Sequence, residues 1–266
     1  MSDLLLFEKS GPVVTLTINR PDTRNPLGEA GDGDAFAEAC ARINADREVR
    51  CAILTGAGKA FSAGGNLKAM QDRAGAFAGA GTAIREGYRT NIHRIVKSLW
   101  ALEVPLISAV NGPAIGLGND VACLGDMRIA SNKAIFGATF LKIGLVPGDG
   151  GAWLLPKIIG HARASELLFT GRTIDAETAL DWGLISQVVG HDDLMDEARM
   201  LASKVAAQPP DVLRMTKKLL RQGQMESFDS IMELSAAMQA LAHHTEDHQE
   251  ALSAFLEKRE PEFKGK

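Results

Sequence analysis

Residues 106–130 read LISAVNGPAIGLGNDVACLGDMRIA, and the fold class turns on how this stretch is parsed. Leu106–Val110 (LISAV) is a strand-length run, apolar but for Ser108, ended by Asn111-Gly112-Pro113. Gly116-Leu117-Gly118 is a glycine-rich turn, a helix opens near Asn119, and 127–130 (MRIA) reads as a second strand. Strand, turn, helix and strand at this spacing imply parallel strands joined by a right-handed crossover.

The same grammar extends in both directions. Upstream, Val13–Ile18 (VVTLTI) alternates β-branched residues as a strand does, and Arg20-Pro21-Asp22 with Asn25-Pro26 breaks it. Phe36, Cys40 and Ile43 give residues 34–45 a buried helical face. Residues 51–54 form a strand closed by Thr55-Gly56, and 60–70 (AFSAGGNLKAM) is a glycine-rich turn entering a helix. After a low-bulk loop at 73–82, Ile84, Tyr88, Ile92, Ile95 and Leu99 recur at helical spacing and predict one long helix. Downstream, 147–151 is a third glycine-rich turn, leading into a helix through Trp153 and Leu154, and 185–189 is a strand. Residues 192–260 are almost purely helical, broken at Gln208-Pro209-Pro210 and Gln222-Gly223. The change of texture divides the chain into an α/β core, 1–195, and a helical region, 196–266.

At 266 residues the chain has room for one large domain, or one with an appendage. With 45% hydrophobic and 23% charged residues it is an ordinary globular sequence, which excludes wholesale disorder. A net charge of −4 offers no electrostatic reason to bind nucleic acid or an anionic membrane. Cys40, Cys51 and Cys123 are odd in number and far apart, against a disulfide framework or thiolate metal site. Met1-Ser2-Asp3 leads into no signal-peptide pattern, and no apolar run spans a bilayer. A cytoplasmic protein without nucleic-acid or membrane partners is expected.

Glycine-rich turns between strand and helix first suggest nucleotide phosphates, and each fails by residue. Gly56-Ala57-Gly58-Lys59 has Ile53 where a P-loop needs its first glycine, and Ala60 where magnesium needs Ser or Thr. Val121 and Trp153 stand where dinucleotide fingerprints starting at Gly116 and Gly148 need glycine. What remains is exposed backbone N–H at helix starts, where two facing turns form an oxyanion hole for a carbonyl becoming an enolate. Tight helix–strand packing explains the glycines equally well.

Several blocks resemble the crotonase (enoyl-CoA hydratase/isomerase) superfamily over nearly the whole chain. They are Asn19-Arg20-Pro21 with Asn25, residues 60–67 (AFSAGGNL), 109–118 (AVNGPAIGLG), 144–151 (GLVPGDGG), Gly171-Arg172 and 182–185 (WGLI). The resemblance implies an α/β fold: a crotonase-like ββα spiral with two roughly perpendicular sheets and a C-terminal helical trimerisation region. It implies an acyl-CoA substrate, no metal or other cofactor, and self-association into a homotrimer or dimer of trimers. By motif position, the N–H groups of Ala63 and Leu117 hold the thioester oxygen. Arg24, Ser62, Gly64, Asn66 and Leu67 lie where the family binds CoA. Phe263, in the tail 260–264 (EPEFK), matches an aromatic that reaches a neighbouring subunit's site.

Departures from the family pattern carry as much information. Hydratases of the family place one glutamate just after the second turn and another some twenty residues later; here those positions hold Asp120 and Phe140. Phe140 transfers no proton, so it is expected to line the pocket. Phe140, Lys142 and residues 153–156 (WLLP) look closer to the phenylacetate-pathway isomerases, which carry an aspartate where this chain has Gly148, with Asp149 one place later. Asp120 is therefore the expected acid/base and Asp149 its assistant, although helix capping and turn chemistry account for the same residues. His244 and His248 are spaced to share a helical face, but Thr245 breaks the zinc-protease pattern, so a solvated face is expected. The basic run from Arg214 to Arg221 reads as surface or CoA-phosphate contact. Two alternatives stay open: a non-catalytic acyl-CoA binder, and a serine hydrolase, for which Ser62 lacks the nucleophile-elbow glycine at position 60.

Overall fold

The computed structural model describes residues 4–266, so the Met1-Ser2-Asp3 start lies outside the described residues. Strands are β1 (Leu5–Ser10), β2 (Val13–Ile18), β3 (Pro26–Leu27), β4 (Cys51–Gly56), β5 (Gly64–Gly65), β6 (Leu106–Val110), β7 (Pro113–Ile115), β8 (Met127–Ser131), β9 (Ile135–Gly137), β10 (Thr173–Asp175) and β11 (Gln187–Val189). Helices are α1 (Asp32–Ala45), α2 (Leu67–Gln71), α3 (Gly81–Gly87), α4 (His93–Trp100), α5 (Leu117–Cys123), α6 (Gly151–Thr170), α7 (Ala176–Asp181), α8 (Leu194–Ala206), α9 (Pro210–Gln222), α10 (Phe228–His243) and α11 (Glu246–Glu257).

The chain repeats one unit: a strand of the main sheet, a short strand beside it, then a helix. The long strands β2, β4, β6 and β8 pair in parallel, between the antiparallel β1 and the parallel β11. The short strands that follow them form a second layer, β10-β9-β7, with the pair β3-β5 tied to it by a Ser62–Ala114 bridge. Strands β4 and β6 are buried on both faces, which is why they read as near-continuous apolar runs, broken only by Thr55 and Ser108, rather than alternating ones. Leu54, Leu106 and Val110 face the large core with Phe36, Phe61 and Phe136. Their neighbours Ile53, Ile107 and Ala109 face the opposite way, against Leu194, Ala198 and Ala202 of α8. The change of texture at 195 thus falls inside α8, a helix that closes the outer face of the main sheet. Texture records element type, whereas burial decides membership of the core.

One strand was not anticipated, and three expectations differ from the structure. Leu5–Ser10 is an edge strand in register with β2 from Leu5↔Ile18 to Ser10↔Val13; its charged, exposed Glu8 and Lys9 hide the pattern. The single helix expected over 84–99 is α3 and α4 joined by a π-helical turn, Tyr88–Ile92. Part of the 73–82 loop is a 3₁₀ turn, Gly75–Phe77, with Phe77 buried. His244 and His248 share no helix, because Thr245 caps α11 with its side chain; His248 instead meets His243 at 3.0 Å.

The basic face of α9 is likewise not a free surface. Arg214 binds Glu103 at 2.7 Å, Lys217 reaches Val104 O at 2.7 Å and Asp126 at 2.8 Å, and Arg221 takes the other Asp126 oxygen at 2.7 Å. Lys217 is 4% exposed, so α9 docks through cations satisfying carbonyls and one shared carboxylate.

Candidate active site

The first and second glycine-rich turns lie against each other. Ser62 N–H donates to Pro113 O, and Ile115 N–H returns a bond to Ser62 O, both at 3.0 Å. Gly64 has φ +88°, and a Cβ there would stand 2.4 Å from Ile115 O, so only glycine permits the approach. A Cβ on Gly118 would stand 2.3 Å from Ser62 O. Buried Asn25 fixes the first turn by donating to Ala57 O at 2.9 Å and Ala60 O at 2.8 Å.

This packing assigns the backbone amides. Leu117 is the first residue of α5, beyond the helix's own ladder, and no acceptor faces its N–H among the described residues. Ala63 is different: its N–H donates to Arg24 O at 2.9 Å, so the amide expected at the oxyanion is already used. The next amide, Gly64 N–H, is held by Ser62 Oγ at 3.2 Å. Ser62 is fully buried, and its hydroxyl oxygen accepts Gly64 N–H inside the turn, so its side chain braces the turn rather than facing solvent. Asn66 caps α2 by accepting from Ala69 N–H at 3.0 Å and donates to Glu29 at 2.9 Å, so its side chain positions the turn. Arg24 and Leu67 are exposed at the mouth of this turn.

Asp120 sits in the first turn of α5, fully buried, and accepts Gly151 N–H at 2.8 Å from the third turn. Asn119 donates to its other oxygen at 3.3 Å. Burial raises its pKa to about 7, with the charge of Asp149 adding to the rise against those two hydrogen bonds. Asp149 is 5% exposed, its Oδ1 has no hydrogen-bond partner in the structure, and burial raises its pKa to about 6. The two carboxyls are thus neighbours with pKa values pushed toward neutrality. Phe140 is buried with its ring over the second turn; a Cβ on Gly116 would lie 3.8 Å from it.

Two residues of the site escaped the sequence. His93 Nε2 binds Gly148 O at 2.9 Å, and Tyr88 packs beside Gly148, its phenol pKa raised by burial and further by the charge of Asp149. The π-helical turn brings them together, their rings 6.1 Å apart, at a spacing of five that a search at the α-helical period passes over. Phe263 lies elsewhere. Its carbonyl accepts from Arg50, next to the start of β4, whereas the first turn follows the end of β4.

Among the described residues no cluster of His, Cys, Asp and Glu has the makings of a metal site, and no helix is long and apolar enough to cross a membrane.

The sequence family described as enoyl-CoA hydratase/isomerase matches residues 8–266. The 1,2-epoxyphenylacetyl-CoA isomerase of Escherichia coli is 38% identical over 267 residues, covering 100% of both chains. The short-chain-enoyl-CoA hydratase of Clostridium acetobutylicum is 34% identical, over 97% of this chain and 96% of that one. The crystal structure of enoyl-CoA hydratase from Bacillus anthracis superposes with a TM-score of 0.92 at 32% identity, covering 99% of this chain and 100% of that one. The likeness therefore runs through every turn of the spiral and reaches hydratases and an isomerase alike, which makes this chain a crotonase-fold member, and an enzyme, of the enoyl-CoA hydratase/isomerase family.

Proposed function

We propose that the protein transfers a proton along the acyl chain of an enoyl-CoA thioester through an enolate, with double-bond isomerisation as its main outcome. The observation that carries this is the buried pair Asp120 and Asp149, both shifted toward neutrality, beside the free Leu117 amide. Leu117 N–H and, since the Ala63 and Gly64 amides are occupied, Gly65 N–H hold the thioester oxygen. The ionised carboxylate of the pair takes a proton from carbon, the C–H electron pair moves into the thioester as an enolate, and the protonated partner returns a proton at another carbon. No metal or redox cofactor is required, because the thioester acidifies its own α-carbon. Phe140 supplies no second acid to activate water, which disfavours the two-carboxylate hydratase route.

Incubation with a panel of enoyl-CoAs in D₂O, read by mass spectrometry, tests this. Deuterium in the recovered or isomerised enoyl ester, with no gain of water, is expected; a hydroxyacyl product, whose α-deuterium comes from the added D₂O, makes the enzyme a hydratase, and tight binding without labelling or conversion makes it a binder. The exchange rate is expected to peak between about pH 6 and 7. Below that window both carboxyls are protonated and the base is lost; above it both are ionised and the acid is lost, the two limbs belonging to the pair.

Arg24 and Leu67 remain as the expected surface for CoA, with Ser62, Gly64 and Asn66 shaping the turn behind them. A homotrimer or dimer of trimers is supported by Phe228, Phe255 and Leu256 on α10 and α11, which are 78%, 83% and 79% exposed in the single chain. Phe263, held near the start of β4, then serves a neighbouring subunit's site. Sedimentation equilibrium at micromolar concentration is expected to give three or six subunits, and a monomer would remove the subunit role of Phe263. Three buried, unbridged cysteines support a cytoplasmic setting.

A further inference from the structure

A cavity of about 800 Å³ reaches α5 and α6 one helical turn beyond the residues that form the site. Its inner wall includes Cys123, one turn after Asn119 and Asp120 on α5, and Leu154, one turn after Gly151 on α6. Both are nearly enclosed, whereas Lys157 at the rim is exposed. Asp126, Arg128 and Arg221 also line it. The cavity therefore leads from solvent to the far end of the α5–α6 contact through charged surroundings that favour water.

Two buried side-chain atoms along this route have no hydrogen-bond partner in the structure: Arg221 Nε, on the cavity, and Asn119 Oδ1, one residue from Asp120. Asn119 is wholly buried. Its Nδ2 donates to Asp120 Oδ1 at 3.3 Å and to Cys123 Sγ at 4.0 Å, so one amide touches both the acid of the site and the sulfur at the cavity wall. The sulfur in turn feels the charge of Arg128 from the cavity and of Asp120 from the site. Burial pushes the Cys123 thiol up to about 12, so it stays a neutral S–H and takes no part in acid–base chemistry. Interior polar atoms that lack protein partners are met by water where the space beside them is polar and roomy enough. One cysteine side chain and one amide are all that the printed contacts place between such water and Asp120.

We infer that this cavity is the solvent entrance through which Asp120 exchanges its proton: water passes Cys123, is held by Asn119 Oδ1, and trades hydrogen with the Asp120 carboxyl while substrate occupies the Leu117 amide. The proton that the carboxyl pair takes from carbon leaves with that water as the water gives one of its own, so carboxyl and water end unchanged apart from the isotope. A pair sealed from solvent would hand the proton taken in one turnover to a later product. A pair open to the cavity gives the product solvent hydrogen. The inference rests on the isomerase function proposed above and adds to it how the buried acid communicates with solvent.

Isomerisation consumes no net proton, so turnover continues when exchange is slowed, and the two are read separately. The full-length protein isomerises 3-hexenoyl-CoA in D₂O over many turnovers, and mass spectrometry gives the ratio of deuterium to protium newly placed in the product, beside kcat. Wild-type product is expected to carry deuterium in excess. Cys123→Leu, which narrows the passage, is expected to lower the ratio by about fivefold, as a rise of about 1 kcal/mol in the exchange barrier does, with kcat nearly unchanged. Cys123→Ala, which only removes volume, is expected to raise the ratio, and it carries the test alone should the leucine variant fail to fold. Protium alone in the wild-type product, a ratio that neither variant moves, or a loss of kcat in the leucine variant at an unchanged ratio would each overturn the inference. If the ester is neither converted nor labelled, the isomerase function falls and the entrance with it, a result distinct from conversion at a ratio indifferent to Cys123.

Discussion

Asp120→Asn is expected to lower kcat for isotope exchange and for isomerisation by roughly 10²–10⁴-fold, with KM for the CoA ester little changed. Asparagine matches aspartate in shape and keeps an oxygen for Gly151 N–H, so the fold should persist while the proton-transfer group is lost. Stability should move the opposite way from activity. The Asp120 carboxyl titrates near 3.8 when unperturbed and near 7 in the folded protein. Between these values the folded state holds a proton that the unfolded state has released, so wild-type stability declines as pH rises through that window. The asparagine variant has no such carboxyl, and its denaturant midpoint at pH 8 is expected to lie above that of the wild type. Exchange at the wild-type rate would make Asp149 the working base and leave Asp120 a buried spectator.

The opposite signs identify what the sequence was able to show. Asp120 was legible because a carboxylate beside a helix start, next to small residues, is both a good first-turn residue and a candidate acid; deciding between the two takes burial, which a linear pattern does not contain. The main sheet was legible for a similar reason. Strands such as Leu106–Val110, buried on both faces, leave near-continuous apolar runs, whereas the edge strand Leu5–Ser10 mixes apolar with charged residues and leaves none. Burial also reassigned the basic run on α9: Lys217 carries the same charge in the core as on a surface, and only its carbonyl and carboxylate partners tell the two apart.

Amides were harder to place than side chains. Ala63 was aligned with the oxyanion by motif position, yet which N–H of a turn stays free depends on where neighbouring carbonyls fall, and Arg24 O falls on Ala63. Ser62 and Asn66 followed the same rule, since short polar side chains in a turn bond to nearby backbone before they bond to a ligand. Tyr88 and His93 were hidden by a change of helical period, which no apolar spacing at 3.6 residues reports.

Gly151→Ala is the sharpest test of the geometry, because it alters no chemical group of the site. Gly151 opens α6, where alanine is favoured over glycine by about 1 kcal/mol in helix propensity. Its new Cβ, however, would stand 2.4 Å from Asp120 Oδ1 and 2.8 Å from Cγ. Asp120 is fully enclosed, so the carboxylate must swing away from the third turn or α6 must shift outward, and either parts Asp120 from Gly151 N–H and from Asp149. A displacement of roughly 1 Å at a proton-transfer group is expected to cost about 10²-fold in kcat. The helix-propensity gain offsets part of the packing loss, so the melting temperature should change much less than the rate, and KM should stay near the wild-type value because Arg24 and Leu67 lie on another turn. The bell-shaped pH profile should also narrow or move, since Asp120 loses the hydrogen bond that holds its pKa down while its distance from Asp149 changes. A Gly151→Ala enzyme that retained full rate and an unchanged profile would place the reacting proton somewhere other than at the contact between the second and third turns.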